Sequence, residues 1–219
     1  MTTSAVRAVL WDMDGTLVDS ADYHSEAWRM VMEPRGVFLT DEMFTSTFGQ
    51  RNDTILRIWL GEQTTDATIR EISDAKEARY REIVAERGIA LLPGTAERID
   101  HLHATGWRQA IASAAPRANV EAIIHALGLD RVMAGFVGAE DVARGKPDPE
   151  VFLRAAEKLG VPPQQCIVVE DAPAGVEAGK RAGMRVIGVG PNSPHLPADR
   201  AAFSLADLPA DLFESLLEA

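Results

Sequence analysis

The stretch VRAVLWDMDGTLVDS, residues 6–20, begins as an apolar run and ends at two acids, Asp12 and Asp14. The run at 6–11 has the composition of a strand that is buried on both faces. Side chains two positions apart on a strand lie on the same side, so we expect both carboxylates to point past its carboxyl end. Two buried carboxylates this close repel each other unless a cation lies beside them. The stretch therefore predicts a cation site at the end of a buried strand.

The composition is that of a globular protein. The chain has 219 residues, of which 46% are hydrophobic and 25% charged, which is enough for one large domain or a domain with a smaller one. Its net charge of −11 argues against nucleic acid or an anionic membrane as a partner, and no protein partner is implied. The single cysteine, Cys166, favours a reducing, cytoplasmic setting. The first residues do not resemble a signal peptide, and no apolar run approaches the roughly 20 residues of a membrane span.

The pattern beyond residue 92 is that of a parallel sheet. Short apolar runs alternate with helix-like stretches of about ten residues, which is typical of strands covered by helices on both sides, in three α/β/α layers. The further strands are predicted at 109–112, 166–169 and 185–189, with a fainter one at 135–138. The helices between them are predicted at 119–127, 149–159 and 174–182.

The segment at 21–91 interrupts this alternation. It lacks strand signals and is rich in helix formers, above all at 66–86. There the apolar or small residues Ile69, Ile72, Ala75, Ala78 (or Arg79) and Ile83 recur at helical spacing. We predict an all-helical cap domain at 21–91, inserted into an α/β core domain at 1–20 and 92–219, with LLPG at 91–94 as the return hinge. The alternative is a single α/β domain with a long first crossover. An insertion at this point would cover the carboxyl edge of the sheet, where ligands bind.

Polar residues also follow the other predicted strands. Glu170 and Asp171 end the strand at 166–169, and Ser113 ends the strand at 109–112 with a hydroxyl and a backbone N–H suited to an anion. Lys146 lies in a proline-rich loop just before a helix. Alone, each would be an ordinary loop residue or helix start. Together they supply metal ligands, a cation and anion donors at one sheet edge, and the carboxylates suit Mg²⁺.

The first acidic pair could also belong to a calcium-binding loop or to a helix cap. In an EF-hand loop starting at Asp12, the sixth position would be Leu17 instead of Gly and the twelfth Tyr23 instead of Glu, which excludes that loop. The acids could instead simply cap the following helix, a role for which Asp19 or Ser20 is suited. The polar residues at the other strand ends favour the metal site over a capping role.

The residue types suit chemistry at phosphorus. One carboxylate can attack and form an aspartyl-phosphate, while the metal and Lys146 neutralise the phosphoryl oxygens. The second carboxylate can protonate the leaving oxygen and then deprotonate water. Direct attack by water, without a covalent step, is equally compatible with the composition.

The motifs DMDGTLVDS, IASAAPR, GKPDPEVF and VVEDAPAGVEAGKRAGM occur in this order along nearly the whole chain. They resemble the four motifs of the haloacid dehalogenase-like phosphohydrolase superfamily, in the helical-cap subfamily of β-phosphoglucomutase and sugar-phosphate phosphatases. The resemblance implies a Rossmann-like core and a mobile cap. It implies Asp12 as nucleophile and Asp14 as general acid and base. The second aspartate and VVED count against the metal-free dehalogenase branch. The implied Mg²⁺ ligands are Asp12, the Asp14 backbone carbonyl, Asp171 and, in or near that shell, Glu170; the implied phosphate-binding residues are Ser113, Ala114 and Lys146.

The predicted cap carries weaker signals. SADYHSEAW and FGQRNDTI resemble cap stretches of β-phosphoglucomutase, which implies that His24 gates the acid/base and that Gly49 and Arg51 meet substrate. The mutase run of serine, lysine and asparagine is replaced here by residues 114–117, of which Arg117 could partly substitute. We therefore predict a Mg²⁺-dependent phosphatase for a small phosphorylated metabolite, above all a sugar phosphate. The alternatives are a phosphosugar mutase and a non-catalytic module that binds a phosphometabolite.

Overall fold

The computed structural model describes residues 6–218, and its centre is a parallel sheet of six strands in the order β3-β2-β1-β4-β5-β6. The strand bounds are β1 (Ala8–Trp11), β2 (Arg108–Ala112), β3 (Gly135–Val137), β4 (Cys166–Glu170), β5 (Arg185–Gly188) and β6 (Arg200–Ala201). The five strands predicted from the sequence are confirmed, and β6 is a short edge strand that the sequence pattern did not indicate. The central position of β1, between β2 and β4, explains why it is apolar on both faces.

Helices cover both faces of the sheet, as predicted. Val9 and Trp11 of β1 lie in an apolar cluster with the helices on one face of the sheet, whereas Ala8 and Leu10 lie in a second cluster with the helices on the other face. The α/β/α layering is therefore confirmed. The helices outside the insertion are α5 (Thr95–Ala104), α6 (Arg117–Leu127), α7 (Glu150–Leu159), α8 (Pro173–Arg181) and α9 (Leu212–Glu218).

Four helices, α1 (Ala21–Met32), α2 (Asp41–Thr47), α3 (Asn52–Leu60) and α4 (Asp66–Arg87), lie between β1 and β2 and form the helical cap. They have an apolar cluster of their own, which includes Trp28, Leu56 and Ile72. Thr65 caps the start of α4 by accepting a hydrogen bond from the Thr68 N–H at 3.2 Å.

The two connections to the helical cap lie side by side. Val18 pairs antiparallel with Leu91, and the Leu92 N–H donates to the Leu17 carbonyl at 2.8 Å. The chain therefore leaves and re-enters the sheet region at one place, which suits a hinge. The domain bounds at 20/21 and 91/92 stay a prediction. Among residues 6–218, no helix combines the length and apolar character needed to cross a bilayer.

Candidate active site

The loop after β1 turns sharply at Gly15. The Asp12 N–H still donates to the Val169 carbonyl at 3.0 Å, as a strand residue would, and the Leu17 N–H then donates back to the Met13 carbonyl at 2.9 Å. Gly15 has φ +85°, and a Cβ there would lie 2.2 Å from Oδ2 of Asp171. Glycine is therefore required both by the backbone conformation and by the approach of Asp171.

Three carboxylates converge at the carboxyl ends of β1 and β4. Asp12, Glu170 and Asp171, here called the acidic centre, each offer an oxygen within 4.8 Å of the others. Lys146 Nζ lies 2.5 Å from Oδ1 of Asp12 and 2.7 Å from Oε1 of Glu170. The other Glu170 oxygen accepts a hydrogen bond from the Ala172 N–H at 2.8 Å. The structure thus brings together residues that were predicted from separate motifs.

The electrostatics of the acidic centre fit a divalent cation. Burial, together with the charge of Glu170, raises the pKa of Asp12 to about 7 despite the neighbouring Lys146. Burial and the charges of Glu170 and Asp12 also raise the pKa of Asp171 well above its ordinary value. Burial alone would lower the pKa of Lys146, but Asp12 and Glu170 outweigh it and raise that pKa. One lysine therefore leaves three carboxylates undercompensated, and clustered carboxylate oxygens are the donors that Mg²⁺ takes.

Asp14 faces a different set of partners. Its Oδ1 accepts a hydrogen bond from Ser20 Oγ at 2.5 Å and lies 3.1 Å from His24 Nε2. His24 Nδ1 lies 2.7 Å from Lys76 Nζ. An ammonium can only donate, so Nδ1 accepts and Nε2 carries the proton that is donated to Asp14. Burial would raise the pKa of Asp14, but His24, Ser20 and Lys76 together lower it.

Two buried residues of the site, Lys76 and Glu77, were not predicted from the sequence; they are 2% and 5% exposed. The buried face of α4 runs through Lys76 and Tyr80. Ala75, which was predicted to lie on this face, is exposed; of the two alternatives for the next position, Arg79 is exposed and Ala78 is partly buried. A lysine four residues after Ile72, in phase with the apolar stripe, was the signal that could have revealed it.

The predicted phosphate-binding residues border a cavity of about 480 Å³ between the sheet edge and the helical cap. Ser113, Ala114 and Lys146 all line it. The Ser113 N–H was expected to face an anion, but it donates to the Val137 carbonyl at 3.0 Å because it continues the sheet pairing. Ser113 Oγ accepts from the Ala115 N–H at 3.0 Å, which leaves its hydroxyl proton free to donate.

The four residues predicted to contact substrate or to gate the acid/base fall into two groups. His24 and Gly49 line the cavity, whereas Arg51 and Arg117 do not. Arg51 Nη1 donates to the carbonyls of Ala139 and Val142, at 3.1 and 3.2 Å, in the loop that leads to Lys146.

Arg117 is held outside the cavity by two contacts. Its Nη1 lies 2.6 Å from Oδ1 of Asp141, and its guanidinium lies over the Phe136 ring at 4.9 Å. Neither of the two predicted arginines is therefore free to bind a substrate anion in this arrangement.

The fold and the site together define a class of protein. It is an α/β enzyme with an acidic centre and a lysine at the carboxyl edge of an open parallel sheet, and with a helical cap inserted after the first strand. The family model described as hydrolase, haloacid dehalogenase-like hydrolase, matches residues 6–183. The chain belongs to this family.

Known proteins with different activities resemble the chain. It is 35% identical to hexitol phosphatase A of Escherichia coli (strain K12) over 205 residues, 92% of this chain and 89% of that protein. It is 32% identical to β-phosphoglucomutase of Bacillus subtilis (strain 168) over 213 residues, 94% and 93% of the two chains. A solved structure of a CbbY mutant from Rhodobacter sphaeroides in complex with xylulose-(1,5)bisphosphate is similar with a TM-score of 0.84, 30% identity, and coverage of 93% and 96%.

Proposed function

We propose that the protein is a Mg²⁺-dependent phosphatase that hydrolyses a small phosphorylated metabolite, a sugar phosphate above all, through an aspartyl-phosphate. The observation that carries the proposal is the contact of Lys146 with both Asp12 and Glu170 at the floor of a cavity that Ser113 also lines. A nucleophile, a cation and a hydroxyl donor thereby face one space. The relative named hexitol phosphatase A supports the substrate class. The single cysteine supports a cytoplasmic setting.

Asp12 attacks phosphorus with a carboxylate oxygen, which forms the Asp12–phosphate bond as the bond to the leaving oxygen breaks. Lys146 and the Ser113 hydroxyl hold the phosphoryl oxygens, with Ala114 beside them. Asp12, Glu170 and Asp171, with the Asp14 backbone carbonyl, would hold Mg²⁺, which supplies positive charge against the phosphoryl oxygens.

Asp14 handles the protons. It protonates the leaving oxygen, and in the second step it takes a proton from the water that attacks phosphorus and releases Asp12. The resting carboxylate has a lowered pKa, so the proton for the first step comes from outside Asp14. The hydrogen-bonded chain from Lys76 through His24 to Asp14 supports such a supply, because a proton leaves His24 Nε2 as another enters Nδ1.

A phosphosugar mutase is the second candidate, and the relative named β-phosphoglucomutase favours it. A mutase must bind an intermediate with two phosphates, which needs a second cationic site. Arg51 and Arg117 both make their contacts outside the cavity, which supports the phosphatase. Incubation with a hexose 1-phosphate and a catalytic amount of the bisphosphate separates the two. Inorganic phosphate is expected, and net 6-phosphate would make the protein a mutase.

The test of the proposed function is Asp12→Asn, assayed with Mg²⁺ on an aryl phosphate and on a panel of phosphorylated metabolites. Turnover should fall below detection while the circular dichroism spectrum stays unchanged. Asp19→Asn is the matched control, because Asp19 is an exposed acid in the same loop. Undiminished hydrolysis by Asp12→Asn would remove Asp12 from its role. A wild-type protein that turns over no phosphate ester would favour the non-catalytic module.

A further inference from the structure

The charge of the cavity wall formed by the helical cap is unusual for a protein that binds anions. This surface, here called the cap wall, consists of the cavity-lining residues between 21 and 77. Among the described residues that line the cavity, the lysines and arginines are Lys76 and Lys146. Lys146 contacts the acidic centre on the opposite side of the cavity lining, outside the cap wall, so Lys76 is the one lysine or arginine that the cap wall contributes within the described chain.

Glu77 cancels that charge. Its Oε1 accepts hydrogen bonds from Lys76 Nζ at 2.9 Å and from Asn52 Nδ2 at 2.7 Å, and its Oε2 accepts one from Asn119 Nδ2 at 2.5 Å. Burial alone would raise the pKa of Glu77, but the charge of Lys76 and the hydrogen bonds from Lys76 and Asn52 lower it. Lys76 and Glu77 therefore form a buried ion pair, and the cap wall presents no net positive charge.

The rest of the cap wall is apolar or neutral. Phe44 and Phe48 pack against each other with ring centroids 5.3 Å apart, and Trp28 continues the aromatic surface. Ser46 and Gln50 add a hydroxyl and an amide. Aromatic faces with a few neutral hydrogen-bonding groups suit a polyol, which has C–H faces and hydroxyl groups.

We propose that Glu77 is a specificity-determining residue that restricts the enzyme to phosphomonoesters whose leaving group is uncharged. The inference rests on the proposed function and adds to it the chemical class of the substrate: a neutral polyhydroxylated skeleton bearing a single phosphate. A second phosphate at the cap wall would lie against Glu77 without a free lysine or arginine to balance it. Burying a second phosphate against a surface that offers no unpaired cation is strongly unfavourable.

The test compares matched substrates, a hexitol 1-phosphate and the corresponding 1,6-bisphosphate, by kcat/KM in the presence of Mg²⁺. The wild type should prefer the monophosphate by at least about 30-fold, as expected for a second phosphate buried without a cation to pair with it. Glu77→Gln should reduce this preference to less than about threefold, because it keeps the shape but leaves the positive charge of Lys76 unpaired and able to attract the second phosphate. Glu86→Gln is the matched control, since it removes an exposed charge from the same helix, away from the cavity.

A second variant protects the test against misfolding of Glu77→Gln. Gln50→Lys leaves the ion pair intact and adds a cation to the cap wall, so it should also raise the kcat/KM of the bisphosphate relative to the monophosphate. Equal use of the two substrates by the wild type, or an unchanged preference in both variants, would overturn the inference. The aryl phosphate assay tells the two proposals apart. If the wild type hydrolyses the aryl phosphate but does not prefer the monophosphate over the bisphosphate, only the specificity inference is wrong. If the wild type does not hydrolyse the aryl phosphate, both the proposed function and the inference are wrong.

Discussion

Gly175, in the first turn of α8, is the position where one added methyl group should disturb the acidic centre most. A Cβ there would lie 1.7 Å from Oε1 of Glu170, half the 3.4 Å at which ordinary contact begins. Glu170 is 1% exposed and is held from both sides by Lys146 and the Ala172 N–H, so it cannot turn away. Gly175→Ala must therefore displace either the helix or the carboxylate by more than an ångström.

The magnitude follows from two opposing effects. Overpacking of a buried position costs about 1–3 kcal/mol, and alanine in place of glycine in a helix returns at most about 1 kcal/mol. We expect Gly175→Ala to lower the free energy of unfolding by about 1–2 kcal/mol. Because an ångström of misplacement at a reacting centre costs about a hundredfold in rate, kcat/KM should fall by about that factor.

The assay is a double-mutant cycle that combines Gly175→Ala with Glu170→Ala. The free energy of unfolding of each variant is measured by urea denaturation in magnesium-free buffer. Removal of the carboxylate leaves room for the new methyl group, so Gly175→Ala should cost nothing, or stabilise, on the Glu170→Ala background. The same loss of stability on both backgrounds would show that the contact with Glu170 is not the cause. Wild-type activity in Gly175→Ala would refute the claim that the position of Glu170 matters for turnover.

Three further predictions concern the proton chain, the cap and the metal. His24→Gln should lower kcat/KM for an alkyl phosphate by about a hundredfold but for an aryl phosphate by less than tenfold, because an aryl oxide leaves without a proton; equal losses would contradict the proton supply. Arg51→Ala should lower kcat/KM at least about tenfold, because it removes charged hydrogen bonds to the loop that leads to Lys146. Arg57→Ala should not lower it, because the contacts of Arg57 stay within the cap. Equal effects of the two variants would contradict the role of Arg51 in holding that loop. Mg²⁺ at about 100 times its Kd should stabilise the fold by about 2.7 kcal/mol, seen as a higher Tm that Asp171→Asn reduces; an unchanged wild-type Tm would contradict the site.

The site residues that could be predicted from the sequence are mainly those at the carboxyl ends of the strands. Parallel strands end at one edge, so apolar runs that finish in Asp12, Ser113 and Glu170 place their polar residues together without further information. The position of Lys146 is predictable for a similar reason, because it lies in the loop between a strand of the sheet and the start of α7. These residues are ordered in space by the pairing of the backbone, which the hydrophobic pattern specifies directly.

The parts of the site that the sequence did not predict depend on details finer than the order of strands and helices, such as which face of a helix is buried and where a side chain points. The buried face of α4 differs from the predicted one by a single position, and that position puts Lys76 and Glu77 into the cavity. The direction of Arg51 depends on carbonyl groups about 90 residues away in the chain, which no local pattern reports. The Ser113 N–H is used by its neighbour in β3, a pairing that became visible only with the strand order.

The central claim is that phosphate passes through Asp12. With an aryl phosphate as the substrate, whose leaving oxide needs no proton, Asp14→Asn should still form the intermediate but lack the base for the attacking water, so it should accumulate the intermediate. The decisive measurement is mass spectrometry of this variant after mixing with substrate and Mg²⁺, acid quenching and digestion at low pH. We predict that the peptide containing Asp12 gains the mass of one phosphoryl group. Release of the dephosphorylated product by this variant in an amount equal to the enzyme, with that peptide unmodified, would contradict the account.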